Sequence, residues 1–243
     1  MRYVSILKRS MLLRIYRLNA MIRFFMMLVF PIKSPDNQST PRSLGNRSKK
    51  KRYHPYLQTH REAIANETMI VLFMDESHRT WSDACGYGSC PTTQRLLSPI
   101  RNERQRQSYC GALNMQNGAT HVEPYTVMNT QTMITFIEIL REHYPKKQHV
   151  LEWDGASYHR SAELRVYLTM INEGTTDGDR HVHCIQFAPY ATQQNPIETI
   201  WLKAKSFMRQ KSQQWSQLSE VKRYFFELIQ NKRIHYKNLH MYI

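Results

Sequence analysis

The stretch "TMIVLFMDE", residues 68–76, is a short apolar run that ends in two acids. An unbroken apolar run of that length suits a buried strand, and the pattern predicts one from Met69 to Met74. Working outward, "RQSYCGALN", near 106–114, and the "THVEPYTV" that follows it read as two further strands. From Thr130, "TQTMITFIEILREHY" places apolar residues at 133, 134, 136, 137 and 140, which is one helical face with Thr130 as its cap. "QHVLEWD" is a strand ending at Asp154, and "RSAELRVYLTMIN" is a helix capped by Ser161 or a neighbour. "EGTTDGDR", residues 173–180, is a turn-rich loop, and "HVHCIQF" is a strand. Two helices follow, over about 195–211 and about 217–230. Early strands joined as a meander, then βα units, imply an α/β fold: a mixed sheet with helices on its faces.

The 243 residues are 41% hydrophobic and 22% charged, which allows one good-sized core plus extra pieces. The net charge of +15 is unevenly spread. Residues 1–60 hold thirteen Lys/Arg against one acid, residues 61–200 twelve against sixteen, and residues 201–243 nine against two. A mildly acidic middle between basic ends favours a polyanionic partner, and nucleic acid is the commonest large one. Cys85, Cys90, Cys110 and Cys184 show no paired framework, which points to a reducing compartment. With the "HVHC" of 181–184 they match no standard zinc finger, so no zinc is expected. "MLLRIYRLNAMIRFFMMLVF" is interrupted by Arg14, Arg17 and Arg23, and its longest clean run is Phe24–Phe30. A membrane span needs about twenty apolar residues, so this reads as a basic amphipathic helix or a segment foreign to the main fold. The expected organisation is a basic, apolar, helical segment over 1–33, a basic and poorly ordered linker over 34–60, and one folded domain over 61–243.

Three carboxylates stand out. Asp75 follows the first strand, and Asp154 follows the strand after the first long helix. If those strands are neighbours, both aspartates emerge at adjacent strand ends. Glu198, within "APYATQQNPIETIWLKAK" (188–205), opens a helix that can pack beside them. A local reading also exists for Glu198: Asn195 caps the helix, Pro196 suits its first turn, and Glu198 completes a capping box. Three converging carboxylates without a base repel one another, and divalent cations remove that repulsion. All-oxygen ligation suits Mg²⁺ or Mn²⁺, and two such ions about 4 Å apart serve phosphoryl transfer. Glu76 is an alternative to Asp75, although strand alternation turns it to the other side. Glu173, Asp177 and Asp179 compete with Glu198 from a loop, which holds geometry less well than a helix.

"VLFMDES" (71–77), "CGALNMQNG" (110–118), "VLEWDGASYHRS" (150–161) and "FAPYATQQNPIETIWLKAK" (187–205) occur in that order. Together they resemble the catalytic domain of DDE-type transposases, in the insertion-sequence and mariner-like superfamily of DDE endonucleases. The resemblance implies an RNase H-like fold with a mixed five-stranded sheet. It implies that Asp75, Asp154 and Glu198 are the catalytic, metal-binding triad, holding two Mg²⁺ (or Mn²⁺) ions. It implies that water is activated to nick DNA at an element's end, and that the freed 3′-hydroxyl then attacks target DNA. The implied partners are DNA, both element ends and target, and a second copy of the chain, because two ends must be joined. No small-molecule substrate and no membrane contact are expected. The implied location is the cytoplasm or nucleoid of a prokaryote, or the nucleus of a eukaryote. His159 matches the family's histidine and is expected at DNA or a scissile phosphate, with a helix-start hydrogen bond as the local alternative. Lys203, Lys205 and Arg209 are expected to contact DNA, Tyr190 and Asn195 to shape the loop, and Trp201 to pack in the core.

The chain also departs from the family's pattern. Gly155 stands where the family usually has Asn, and Ala188, Ala191 and Thr192 replace parts of a Pro-Tyr-Ser-Pro loop. Forty-three residues separate Asp154 from Glu198, more than the family's usual spacing, with "INEGTTDGDRHV" as the insertion. Residues 1–60 contain no recognisable helix-turn-helix pair. The expectation is a truncated transposase without its end-recognition domain, the alternative being an inactive DNA-binding remnant.

Overall fold

The computed structural model of the chain describes residues 56–80, 105–187, 195–211 and 214–230. The segment expected over 1–33 and the linker up to residue 55 lie outside the described residues, as do Cys85, Cys90 and Tyr190. Tyr56 and Leu57, expected in the linker, instead begin a helical turn, and Leu57 is fully buried in the core.

The elements follow as α1 (Arg61–Ala65), β1 (Met69–Thr80), β2 (Arg106–Asn114), β3 (Thr120–Tyr125), α2 (Thr130–His143) and β4 (Gln148–Trp153). A short 3₁₀ turn (Ser157–Arg160), α3 (Ala162–Ile171), β5 (Val182–Gln186), α4 (Ile197–Gln210) and α5 (Leu218–Ile229) complete them. The strands form one five-stranded sheet in the order β3-β2-β1-β4-β5. β1 pairs antiparallel with β2 and parallel with β4, so the sheet is mixed and β1 and β4 are neighbours. Among the described residues no helix is long and apolar enough to cross a membrane.

β1 explains why its first half reads as a continuous apolar run. Met69, Val71 and Phe73 pack on one side with α1, α4 and α5, while Ile70, Leu72 and Met74 pack on the other with α2 and α3. A strand covered on both faces has no polar face to show. Each large side chain so buried contributes about 1.5–3 kcal/mol. β1 does not stop at Met74 as the pattern predicts, but continues through Asp75 to Thr80, paired with β2 throughout. Its pairing with β4 ends earlier, at Phe73 opposite Glu152. β1 therefore overhangs β4, and the overhang carries the polar "DESHRT".

Two contacts seat α4 against that overhang. Gly111 in β2 lies directly opposite Asp75, and a Cβ there would sit 2.6 Å from Cζ2 of Trp201. The missing side chain lets α4 press its buried Trp201 onto the sheet at the level of Asp75. Asn195, itself buried, donates from Nδ2 to the Met74 carbonyl at 2.9 Å. That carbonyl has the same parity as Thr68, whose oxygen accepts from Gln148 in β4. The amide thus replaces the ladder bond that β4 would have made had it continued.

The helix starts are partly as the pattern predicts. Ser161 caps α3, accepting from the Leu164 N–H. α2 is capped by Asn129 rather than Thr130, with Thr132 reciprocating. α4 has Pro196 at its N-cap position and no side-chain cap; the Nδ2 bond to β1 orients the Asn195 amide, and its Oδ1, the atom a cap would use, accepts no hydrogen bond among the described residues.

Candidate active site

Asp75 and Asp154 reach the same level by register. Phe73 pairs with Glu152 across the parallel strands, and each aspartate stands two residues further on. Asp75 points to the α4 side of the sheet, by alternation from Phe73. There its carboxyl hydrogen-bonds to that of Glu198, in the first turn of α4. Burial pushes the Asp75 carboxyl up to about 8, and the neighbouring Glu198, Glu76 and Asp154 charges push the same way. Glu198 is raised too, by burial and then by Asp154, with the Asp75 hydrogen bond opposing. Near neutral pH the Asp75 carboxyl thus favours its protonated form.

On the opposite side of β1, Glu76 meets His159. The His159 ring is buried, lies 4.5 Å from the Trp153 ring at 11°, and meets Tyr158 edge-on. Its Nδ1 is 3.2 Å from Asp154 Oδ1, and its Nε2 is 3.4 Å from Glu76 Oε1. Burial disfavours the imidazolium, but Asp154 and Glu76 outweigh it and raise His159 to about 9. His159 in turn lowers Asp154, helped by the Ala156 N–H that donates to the same oxygen at 2.9 Å. Tyr158 hydrogen-bonds to Glu76, and burial followed by the Glu76 charge raises its phenol.

The expected residues thus divide. The charges of Glu198 and Asp154 both act on Asp75, and that of Asp154 acts on Glu198, but these three do not form a set whose donor atoms all lie within 4.8 Å of one another. Among the described residues, the set with donor atoms all within 4.8 Å of one another is Glu76, Asp154 and His159. His159 is buried between the Glu76 and Asp154 carboxylates, with Nδ1 also 3.1 Å from the Asp154 carbonyl, a local bond of the kind expected as its alternative role. Asp177 and Asp179 do not compete for the site: their loop closes on Gln148 at the other end of β4, where Gln148 donates to the Gly178 carbonyl. Glu198 does not complete a capping box: the helix has no side-chain cap, and Asn195 Oδ1 accepts no hydrogen bond among the described residues. Trp201 packs in the core as expected. Lys203 and Arg209 are exposed and Lys205 half-buried, along the helix that Glu198 begins. Glu76 was legible as an acid of opposite parity to Asp75. Its partnership with His159 was not, because the two are far apart in the chain.

A family model described as DDE superfamily endonuclease matches residues 70–222. The chain belongs to this family. This DDE endonuclease also resembles solved structures, all of which are distant in sequence. A Mos1 mariner paired-end complex with Mn shares 12% identity at a TM-score of 0.56, over 92% of this chain and 67% of that one. The Mos1 strand transfer complex shares 13% at 0.55, over 92% and 66%. The catalytic domain of Mos1 mariner transposase shares 11% at 0.53, over 86% and 92%. The likeness is one of fold, and it bears out the RNase H-like mixed sheet. No curated protein matches the chain significantly.

Proposed function

We propose that this DDE endonuclease cleaves and transfers DNA strands in a divalent-metal-dependent transposition reaction, with Asp75, Asp154 and Glu198 as the metal-binding triad. What supports this reading is the register of β1 and β4, which sets Asp75 and Asp154 level, together with the mutual charge interactions of Asp75, Asp154 and Glu198. A carboxyl raised by burial and by neighbouring like charges fits a hard cation, because the cation takes the proton's place and removes the repulsion. Two Mg²⁺ or Mn²⁺ ions, when bound, would stabilise charge on the attacking and leaving oxygens at phosphorus. The chain's own part is positional. β1 and β4 hold two acids level, α4 presents the third, and the Asn195 and Trp201 contacts fix α4 against the sheet.

DNA is the proposed partner, both as element end and as target. Relatives of this fold were solved as paired-end and strand-transfer complexes, one with a left transposon end. Lys203, Lys205 and Arg209 lie along α4 leading away from Glu198, where cations can follow a phosphate backbone. A homodimer is proposed on the same analogy, as is action wherever the host keeps its DNA. The match spans about two thirds of the full-length relatives, 67% for the paired-end complex. End recognition is therefore not assigned to the described domain.

The test is nicking of duplex DNA in Mg²⁺ by the full chain against its Asp154→Ala variant. Wild-type nicking that disappears in the variant supports the assignment. Equal nicking by both sinks it, and none by either, with DNA binding retained, favours the inactive remnant.

A further inference from the structure

The three acids are not held equally well. Asp75 lies within a paired strand and Glu198 on a helix of fourteen residues, but Asp154 lies past the end of β4 with a side chain 54% exposed. A ligand on a loop needs a brace from outside its own element. We infer that Glu76, acting through His159, is a positioning residue that sets the direction of the Asp154 carboxylate; this rests on the reading of Asp154 as a metal ligand.

The chain of contacts runs Tyr158, Glu76, His159, Asp154. Glu76 is 8% exposed, and a carboxylate so buried is retained at a cost unless it is paired. Tyr158 and His159 supply the pairing. The His159 ring cannot swing, because Trp153 covers its face and Tyr158 abuts its edge. Its Nδ1 therefore has a fixed aim, at both the Asp154 carbonyl (3.1 Å) and Asp154 Oδ1 (3.2 Å). Oδ1 also accepts from Ala156, so both restraints fall on one oxygen. Among the described residues Oδ2 has no hydrogen-bond partner. A carboxylate pinned by one oxygen has its other oxygen aimed, and that oxygen remains for a cation. Alternation in β1 makes this possible: Asp75 faces the cation side, and the next residue reaches round the other side of the sheet to steady the neighbouring strand's acid.

Mn²⁺ titration by calorimetry, without DNA, tests the inference on the full chain. Melting in chelator checks the fold of each variant. Removing an outer partner of a ligand typically weakens metal binding about 10–100-fold. Glu76→Ala is expected to raise the half-saturating Mn²⁺ by about tenfold with unchanged stoichiometry. Glu76→Gln, which keeps the shape and an acceptor for His159, is expected between wild type and alanine. It decides the matter should the alanine variant fail to fold. His159→Asn keeps a donor towards Asp154 but cuts the link to Glu76, so adding Glu76→Ala to it should change nothing further. In nicking assays the variants should need more Mg²⁺ while losing much less rate at saturation. Three results overturn the inference: wild-type Mn²⁺ affinity in Glu76→Gln; full additivity in the double variant; or loss as complete as in Asp154→Asn, which would make Glu76 a ligand. Asp154→Asn is also the control for the underlying reading, because wild-type binding in that variant removes the site itself rather than its brace.

Discussion

Asp75 and Glu76 are adjacent acids with opposite fates. On the α4 side, burial and the Glu198 charge push the Asp75 carboxyl up to about 8. On the α2 and α3 side, Glu76 meets a tyrosine and a histidine, and the histidine carries the compensating charge. One side pairs its acid with a positive partner. The other sets like charges together. The difference comes from parity within a strand, not from composition. An acid cluster can thus be poised for metal while the acid beside it serves the scaffold.

The largest effect should come from the like-charged side. Asp75→Asn and Asp154→Asn are each expected to cut Mg²⁺-dependent nicking by at least about a hundredfold while melting in chelator holds or rises. A fall in chelator stability would show that these acids serve the fold. Next comes the seat of α4. Gly111→Ala places a methyl 2.6 Å from the Trp201 ring and should cost about 1–3 kcal/mol in urea unfolding, with nicking reduced as Glu198 is displaced. Asn195→Leu leaves the Met74 carbonyl without its donor and should cost about 1–3 kcal/mol.

A smaller effect concerns pH. The folded chain keeps the Asp75 proton up to about 8, whereas the unfolded chain releases it near 3.8. Without metal, this carboxyl therefore makes stability fall as pH rises between those values. Saturating Mg²⁺ should oppose the trend, so the gap in melting temperature between Mg²⁺ and chelator should widen towards pH 8. A gap independent of pH would mean that no proton is displaced. The smallest effect is expected on α4's exposed face. Lys203→Ala and Arg209→Ala should each lower the salt dependence of DNA binding by about one unit of slope and leave turnover at saturating DNA unchanged.

Much of this was legible from the chain alone, and the failures have physical causes. The apolar half of β1, the helical face of α2 and the Ser161 cap follow from periodicity. The polar half of β1 does not, because it pairs with β2 alone and hides its pattern: Ser77 and Arg79 are buried, with the Arg79 guanidinium over Phe225. The capping box at Glu198 fitted every local rule and is absent: a carbonyl in a distant strand orients the Asn195 amide, and its Oδ1 accepts no hydrogen bond among the described residues. His159 was expected at the ligand. The aromatic residues that precede it, Trp153 and Tyr158, were the available sign that it would be covered.

β4 stops at Trp153 while its neighbour runs on to Thr80. The Met74 carbonyl, at the first step beyond the paired length of β4, is taken by the Asn195 amide instead of by a strand. Two more residues of β4 would compete with that amide for the same acceptor, so the length of one strand and the seat of a helix are set by a single bond.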